Sequence, residues 1–398
     1  MSEPTSRRSF LKSAGLGAAA LGLTSTARAE EPKIQGFEQE KGGVKTARPW
    51  QPISDRKVRF GIVGYGVCKF GAAFSLQNHP NVEVVAVSDL FPDRCQALAR
   101  VCKCEKTYPS LEEMVKDDSI EAIFVATDAP SHCRHCIDVL KHGKHVATAV
   151  PAVWAELEDA DKLYEVVRQS GLNYMMFETS CYHADLFAMR TIFESGGFGK
   201  LVYSEGQYFH YACSVIPSYK DWRIGLPPQW YPTHSNAYYV GVTGGSFTEV
   251  SCMGMSSIRP ELQPENNRYQ NPFGTEIAMF RTSEGGVARM GVSWDTPGYG
   301  GETGRVRGQK GSMNGMNFQG TKQTLPDLAR PPLPPSVQPG GHGGSHGYLG
   351  HEMVMSILEN RKPLVNVAWA LNMTVAGIVA HQSALKDGQL MKIPQYTL

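Results

Sequence analysis

The sequence has no cluster of basic residues outside its N-terminal segment, and its 39 Lys and Arg nearly balance its 38 Asp and Glu. This balance argues against a strongly anionic partner such as a nucleic acid or an acidic membrane surface. No apolar run after the N-terminal segment reaches the ~18 residues that a membrane span requires. We therefore expect a soluble mature protein that binds neither nucleic acid nor membrane.

Regular cysteine spacing is also missing, so the nine cysteines suggest no disulfide framework, and their odd number leaves at least one thiol unpaired. One cluster, Ser131 to Cys136, places His and Cys residues three apart, where they could meet on one face of a helix and hold a metal. The simpler interpretation is a helix that starts after Asp128-Ala129-Pro130, because zinc sites usually draw ligands from two separated segments. We expect no metal.

The N-terminal segment has the features of a bacterial twin-arginine export signal. Arg7 and Arg8 precede a mildly apolar, glycine-rich run from Ala14 to Leu23, and Ala27-Arg28-Ala29 forms a small-x-small cleavage site. A first helix of the fold would not be so short, nor be followed at once by a polar stretch. The sequence therefore predicts that residues 1–29 are removed, that residues 30–56 form a linker, and that the folded protein is exported to the periplasm.

Apolar strands alternate with helical stretches over residues 57–177, which is the pattern of a doubly wound parallel sheet of the Rossmann α/β type. The predicted strands are Val58–Val63, Val82–Ser88, Ile120–Ala126, His145–Thr148 and Asn173–Phe177. The predicted helices start near Gly71 and Pro92, run through Ile137–Leu140, and cover Leu157–Gln169.

Residues 178–398 show a different pattern, in which strands follow one another. After a helix at Ala184–Ser195 come the β-like runs Leu201–Phe209, Thr275–Arg281, Val287–Trp294 and Ser312–Phe318. Successive strands predict an α+β domain with an open, largely antiparallel sheet. Pro326 to Gly347 reads as an irregular loop. The closing helices, His351–Glu359 and Trp369–Lys386, are candidates to pack back on the first domain.

The turn after the first strand predicts a dinucleotide site. Gly64 and Gly66 follow a strand that is apolar except for Arg59, where they allow a tight turn and a close approach of the backbone to a pyrophosphate. Lys69 stands where a third Gly or Ala is expected, and Gly71 comes two residues later. Asp89 ends the second strand, where a carboxylate can accept both ribose hydroxyls and so favour NAD over NADP. The alternative for Asp89 is a helix cap.

With Ala126-Thr127 after a later strand and Gly143–Val146 before the next, the chain resembles the Gfo/Idh/MocA oxidoreductase family. The resemblance implies a Rossmann domain followed by a sheet domain whose face, with the nicotinamide, forms a sugar or cyclitol site. It implies NAD contacts at Val67, Lys69, Thr127, His132 and Pro151 besides the glycines and Asp89. It also implies a homo-oligomer paired through the exposed face of the second sheet.

Two departures from the family pattern bear on the reaction. The usual Glu-Lys-Pro motif is replaced by Ala149-Val150-Pro151, and a valine cannot exchange protons. Trp230–His234, together with Glu178–Tyr182 and Gly341–Gly344, is similar to the branch that contains glycoside hydrolase family 109. That resemblance implies that NAD acts as a retained catalyst: C3 of a sugar is oxidised, the acidified C2 proton is removed, the aglycone is eliminated, water adds and the hydride returns.

Oxidation of a carbinol requires a base within hydrogen-bond reach of the hydroxyl, and removal of the neighbouring proton requires another group. By the resemblance the catalytic candidates are His234, Tyr231 and Tyr182. Candidates to bind the carbohydrate are Trp222, Arg223 and Tyr299, through ring stacking and planar donors. Each also has a structural interpretation. We do not expect His342 or His346 to be catalytic, because their loop could equally line the pocket or contact another subunit.

Two other functions remain open at this point. The chain could be a net sugar or cyclitol dehydrogenase in which His234 replaces the missing lysine. It could also be a sugar or nucleotide sensor that has kept the fold without catalysis, because a fold does not determine a function.

Overall fold

The computed structural model describes residues 49–398, so the predicted export signal and most of the predicted linker lie outside the described residues. Within this range all nine cysteines are present and none forms a disulfide. No helix of the described range is long and apolar enough to cross a membrane.

The first layer of strands is a six-stranded parallel sheet in the order β3-β2-β1-β4-β5-β6. Its strands are β1 (Val58–Val63), β2 (Val82–Ser88), β3 (Thr107–Tyr108), β4 (Ala122–Val125), β5 (His145–Thr148) and β6 (Tyr174–Met176). The connecting helices are α1 (Phe70–Ala73), α2 (Pro92–Cys102), α3 (Leu111–Met114), α4 (His132–Lys141) and α5 (Leu157–Ser170). The strands are apolar because helices cover both faces, as in β4, whose four residues are all buried. The predicted Rossmann sheet is confirmed.

The remainder of the chain forms an eight-stranded sheet in the order β13-β12-β11-β7-β10-β9-β8-β14, in which only the β7–β10 pair is parallel. Its strands are β7 (Leu201–Phe209), β8 (Phe247–Ser256), β9 (Phe273–Thr282), β10 (Val287–Ser293), β11 (Gly301–Gly308), β12 (Gly311–Asn314), β13 (Asn317–Gly320) and β14 (Met391–Lys392). Its helices are α6 (Ala184–Glu194), α7 (Thr233–Thr243), α8 (Gly341–Gly344), α9 (His346–Leu358) and α10 (Val367–Ala384). The predicted largely antiparallel sheet is confirmed.

Helices α9 and α10 connect the two sheets. Asn173, just before β6, donates to Ser356 of α9 at 3.1 Å. Helix α10 is buried almost all round, and its Met373 carbonyl accepts from Asn236 of α7 at 2.7 Å. The end of the chain therefore holds α7 against the Rossmann domain, and α7 carries part of the site described below.

Several boundaries differ from the sequence prediction. The run Ser312–Phe318 is a hairpin of β12 and β13 rather than one strand, because the chain turns at Gly315 with a φ of 54°. The loop expected over Pro326–Gly347 already contains α8 and the start of α9 at His346. Helix α7 and strands β8 and β11 were not expected at all.

Candidate active site

A cleft of about 410 Å³ opens at the carboxyl ends of β1, β2 and β4. This is where the strand order reverses, and ligands of doubly wound sheets bind at such a point. Five of the predicted cofactor residues line it, namely Gly64, Gly66, Val67, Asp89 and Thr127. Trp222 and Arg223, predicted to bind substrate, close it from the second domain.

The glycine turn fits a dinucleotide because its backbone leaves no room for side chains. A Cβ at Gly64, whose φ is 93°, would lie 2.3 Å from the carbonyl oxygen of Ala126. A Cβ at Gly71 would lie 2.3 Å from the carbonyl oxygen of Gly64. Gly71 therefore permits the close approach of helix to strand that the third glycine of the fingerprint usually provides. Lys69 is exposed, precedes α1 with a φ of 53°, and does not line the cleft.

Asp89 is half-buried at the rim of the cleft and its carboxylate is fixed by two backbone groups. Oδ2 accepts from the amide of Tyr65 at 2.8 Å, and Oδ1 accepts from the amide of Phe91, which precedes α2, at 2.9 Å. Asp89 thus stabilises both turns and faces the space where the ribose of a dinucleotide would lie. Asp89 is not the helix cap of the alternative interpretation, because the N-cap residue of α2 is Phe91 and no side chain caps it.

His132 and Pro151 do not line the cleft but lie behind its wall. The buried His132 ring approaches the Pro151 carbonyl with Nδ1 at 2.9 Å and the Thr127 carbonyl with Nε2 at 3.2 Å. Both ring nitrogens are thus occupied, and burial raises the pKa of the Cys133 thiol to about 12, away from the thiolate that binds zinc. The zinc alternative for Ser131–Cys136 therefore has no structural support.

A second, small pocket of about 20 Å³ continues the inner end of the cleft and shares Cys68, Phe70 and Arg223 with it. Its remaining lining residues are Val150, Phe177, Thr179, Tyr208, His210, Cys213, Ile216, Tyr231, His234 and His342. The space admits about one water molecule. Val150, Tyr231 and His234 therefore face the same space.

His234 lies in the first turn of α7 and is paired with Glu178, a carboxylate for which the sequence predicted no role. Its Nδ1 lies 2.8 Å from Oε1 of Glu178, and the two side chains are 2% and 0% exposed. Burial alone would lower the pKa of His234, but Glu178 and Glu302 outweigh it and raise the pKa to about 9. The carboxylate fixes Nδ1 as the bound nitrogen, so Nε2 is the nitrogen with which the ring can serve the pocket.

Glu302 of β11 forms the centre of a buried polar cluster. It accepts from Ser180 Oγ at 2.7 Å and Thr179 Oγ1 at 3.2 Å, lies 3.1 Å from His183 Nε2, and contacts His342 Nδ1. Burial would raise the pKa of Glu302, but His234, His342 and His183 hold it well below its usual range. One group of side chains in the described range could hold a metal ion, because its ligand atoms all lie within 4.8 Å of one another. It consists of Glu178, His234 and Glu302. Here those atoms pair with each other or with hydroxyl and imidazole groups.

Arg223 is a buried cation that lines both spaces. Its Nη1 lies 3.2 Å from Cys213 Sγ, and its guanidinium lies 4.2 Å from the Trp222 ring centroid and 5.7 Å from that of Tyr231. No salt bridge joins it to any carboxylate of residues 49–398. Burial raises the pKa of Tyr231 despite this neighbouring cation. Tyr231 therefore serves the pocket as a neutral phenol.

Two predicted residues are not brought to the pocket. Tyr182 is buried and stacks on Tyr348 at 6.3 Å, outside the lining of either space. Tyr299 is fully exposed in the turn before β11. The expectation that these phenols join Tyr231 and His234 is not met. His342 lines the pocket, which is one of the two positions that the sequence left open for its loop, whereas Glu178 and Glu302 were not expected there. Glu178 is the first residue of the Glu178–Tyr182 motif, so the sequence could have indicated it. Glu302 lies in the glycine-rich strand β11, where no motif indicates a functional residue.

Comparisons with known proteins agree with this architecture. Residues 58–178 match the Gfo/Idh/MocA model, described as an oxidoreductase family with an NAD-binding Rossmann fold. A glycosyl hydrolase family 109 protein of Solibacter usitatus is 24% identical over 99% of this chain and 98% of its own length. A similarly named protein of Akkermansia muciniphila is 25% identical over 90% of this chain and 81% of its own.

Solved structures share the fold. Levoglucosan dehydrogenase in complex with NADH and levoglucosan superimposes with a TM-score of 0.70 at 18% identity, covering 85% of this chain and all of that one. Scyllo-inositol dehydrogenase from Lactobacillus casei, with bound NAD(H) and scyllo-inositol, gives a TM-score of 0.65 at 15% identity over 85% and 99%. At these identities the likeness concerns the arrangement of both domains and not the substrate.

Proposed function

We propose that this chain, an NAD-binding oxidoreductase of the Gfo/Idh/MocA family, cleaves a glycoside by a redox-neutral route that begins with oxidation of a ring carbinol. When bound, NAD supplies a hydride acceptor in the first step and a hydride donor in the last. The observation that carries the proposal is the His234–Glu178 pair at the inner end of the cofactor cleft.

The residues of the pocket divide the binding and proton-transfer tasks. His234, held by Glu178 through Nδ1, takes the hydroxyl proton of the carbinol through Nε2 as the hydride leaves. The imidazolium that results then donates to the carbonyl oxygen and stabilises negative charge on it. Tyr231 and Arg223 donate to other sugar oxygens, and Trp222 packs on the apolar face of the ring.

The shape of the pocket sets one condition. A sugar ring is larger than the space for about one water that the pocket offers, so part of its wall must move when substrate enters. The pocket is continuous with the cofactor cleft through Cys68, Phe70 and Arg223, which gives the carbinol carbon a direct approach to the nicotinamide position.

Val150 favours cleavage over net oxidation. A dehydrogenase needs a group beside the nicotinamide that can release the hydroxyl proton to solvent, and valine at this place cannot do so. His234 is almost fully buried, so a proton that it accepts is better returned to the sugar within the same cycle.

We further propose export to the periplasm, based on the twin-arginine segment at residues 6–12. A periplasmic enzyme has little free NAD available, and a cofactor that is loaded before export and regenerated in each turnover removes that need. Replacing Arg7 and Arg8 by lysine should leave the protein in the cytoplasmic fraction, and its presence in the periplasmic fraction would contradict this route.

The test of the reaction uses purified protein, NAD⁺ and a panel of 4-nitrophenyl α- and β-glycosides. Nitrophenol release and absorbance of reduced nicotinamide are followed in the same cuvette. Release of nitrophenol without accumulation of reduced cofactor supports redox-neutral cleavage. Stoichiometric reduced cofactor without nitrophenol would instead identify a net dehydrogenase, and inertness of a cofactor-loaded preparation on the whole panel would favour a binding protein.

A further inference from the structure

Arg223 is a buried cation at the point where the cofactor cleft meets the small pocket, and it lines both spaces. Only 9% of its surface is exposed. A guanidinium keeps its charge at any physiological pH and offers several N–H donors in one plane. Removing such a charge from water is costly unless an opposite charge or enough acceptors compensate it. The partners of Arg223 therefore show whether the fold itself satisfies this side chain.

The polar partners of Arg223 within the described residues are neutral groups. Its Nη1 donates to Cys213 Sγ at 3.2 Å, and the phenol of Tyr231 is a second polar neighbour. Burial raises the pKa of both the Cys213 thiol and the Tyr231 hydroxyl, so neither group supplies a negative charge near neutral pH. The Trp222 ring, whose centroid lies 4.2 Å from the guanidinium, stabilises a cation through its π-face but does not neutralise it.

Two other arginines of the described range, Arg190 and Arg330, are also buried and provide a comparison. Arg190 donates to two backbone carbonyl oxygens at 3.0 and 3.1 Å, and Arg330 donates to three at 2.8 to 3.2 Å. Neither residue lines the cleft or the small pocket. Arg223 differs from both, because no carboxylate or carbonyl oxygen of residues 49–398 accepts from its guanidinium. The fold thus uses the other two to join backbone segments and leaves Arg223 at a binding space without an anion.

The charge of Arg223 reaches the small pocket without a counter-ion. The two carboxylates beside this pocket, Glu178 and Glu302, are already engaged by imidazoles, Glu178 by His234 at 2.8 Å. Burial and the charge of Arg223 both lower the pKa of His210, which lines the same pocket. Oxidised nicotinamide is itself a cation and supplies no negative charge. An anionic group on the substrate would therefore complete the site.

We propose that Arg223 is the counter-ion of a substrate carboxylate, so that the preferred substrates are glycosides of a sugar acid such as a hexuronic acid. The inference rests on the proposed function and names its substrate class. The planar guanidinium matches a carboxylate through two parallel N–H···O bonds, which the hydroxymethyl group of a neutral sugar cannot form. Such a charged pair is strong in a space that excludes water. Arg223 makes and breaks no covalent bond, and its role is to determine specificity.

Matched pairs of substrates test the inference. 4-Nitrophenyl glucuronide and 4-nitrophenyl glucoside differ only at C6, as do the corresponding galacturonide and galactoside, and both anomers of each are assayed with NAD⁺-loaded protein. We expect wild type to cleave at least one acid with a kcat/KM about 10- to 100-fold above that of its neutral partner. A ratio of acid to neutral substrate of one or less in every pair would overturn the inference.

Two substitutions separate the charge of Arg223 from its shape. Arg223→Gln removes the charge, and Arg223→Lys keeps the charge without the planar fork. The acid-to-neutral ratio should fall to about one in Arg223→Gln and take an intermediate value in Arg223→Lys. A merely structural role would lower the cleavage of both members of a pair equally and leave the ratio unchanged. The matched control is Arg289→Gln, which removes an arginine paired with Glu205 at 2.6 Å on the second sheet and should keep the wild-type ratio.

Binding measurements distinguish a substrate carboxylate from the pyrophosphate of the cofactor, since Arg223 also lines the cleft. Calorimetry measures the affinity of wild type and Arg223→Gln for NAD⁺. If the substitution weakens NAD⁺ binding more than about tenfold while the acid-to-neutral ratio is unchanged, Arg223 serves the cofactor and the inference is overturned.

Calorimetry with free sugars separates this inference from the proposed function. Glucuronate and galacturonate are compared with glucose and galactose on NAD⁺-loaded wild type. Tighter binding of a sugar acid without cleavage of any glycoside would refute the proposed function and support the carboxylate partner of Arg223. Cleavage of neutral glycosides with no preference for acids, in either cleavage or binding, would support the proposed function and refute this inference.

Discussion

Replacing Glu178 by Gln tests whether this carboxylate sets the pKa of a catalytic base. The pKa of His234 is raised from 6.5 to about 9, which at about 1.4 kcal/mol per unit corresponds to about 3 kcal/mol in favour of the imidazolium. Glu178 is the first of the two carboxylates responsible. Loss of one charge at hydrogen-bond distance should lower the pKa of His234 by about 1–3 units.

The sign of the pH effect follows from the role of His234 as a proton acceptor. Only the neutral ring can accept the hydroxyl proton, so kcat/KM of the wild type should rise with pH and level off near pH 9. In Glu178→Gln the rise should level off about 1–3 pH units lower. The plateau itself should drop by about tenfold, because a weaker base accepts a proton less readily.

The assay is nitrophenol release from pH 6 to 10 at low substrate concentration, with NAD binding measured at each pH. The matched control is Glu205→Gln, which removes a carboxylate that pairs with Arg289 at 2.6 Å and Arg305 at 2.8 Å on the second sheet. This control should keep the wild-type pH profile. A Glu178→Gln profile that rises at the same pH as wild type, or a wild-type profile that falls between pH 6 and 9, would refute the reasoning.

Three further predictions concern the cofactor, the polar cluster and the second sheet. Asp89→Ser should weaken NAD⁺ binding about 10- to 100-fold through loss of charged hydrogen bonds, measured by calorimetry, and an unchanged affinity would remove Asp89 from the ribose site. Dialysis against EDTA should leave nitrophenol release unchanged, because Nδ1 of His234 is already hydrogen-bonded to Glu178. A loss of activity that a divalent cation restores would show instead that Glu178, His234 and Glu302 hold a metal. Met279 is 43% exposed on β9, near the exposed Met253 and Val287 on the adjacent strands β8 and β10, so Met279→Lys should turn an expected homodimer into a monomer by light scattering. A wild type that is already monomeric would contradict subunit pairing through this face.

The fold was largely predictable because its signals are local. Parallel strands such as Val58–Val63, in which every residue except Arg59 is buried, read as nearly continuous apolar runs, and Gly64 and Gly66 after this strand line the cleft at its carboxyl end. Helix α7 was missed because ten of its eleven residues are buried, so it has no polar face to give a helical period. Strand β11 was missed because its sequence, rich in Gly and Arg, has no apolar run.

The residues of the candidate site could be predicted only where they lie in a recognisable sequence motif. Tyr231 and His234 lie in one short motif and do meet in the pocket. Glu302 is 124 residues from Glu178 along the chain, and only the pairing of β11 with β7 brings it to the same cluster. Tyr182 is the last residue of the Glu178–Tyr182 motif, but its ring stacks on Tyr348. A sequence motif indicates where the backbone lies and not the direction in which each side chain points.

The fate of a deuterium atom on the oxidised carbon tests redox-neutral cleavage most directly. A nitrophenyl glycoside carrying deuterium at C3 is converted completely with one equivalent of NAD⁺, and the free sugar and the cofactor are analysed by NMR. The account predicts that the deuterium is found at C3 of the released sugar, with a slower turnover than for the protonated substrate, and that the cofactor is recovered oxidised. Deuterium found in reduced nicotinamide beside a ketosugar, or cleavage at a rate that deuterium does not affect in a protein freed of NAD, would contradict it.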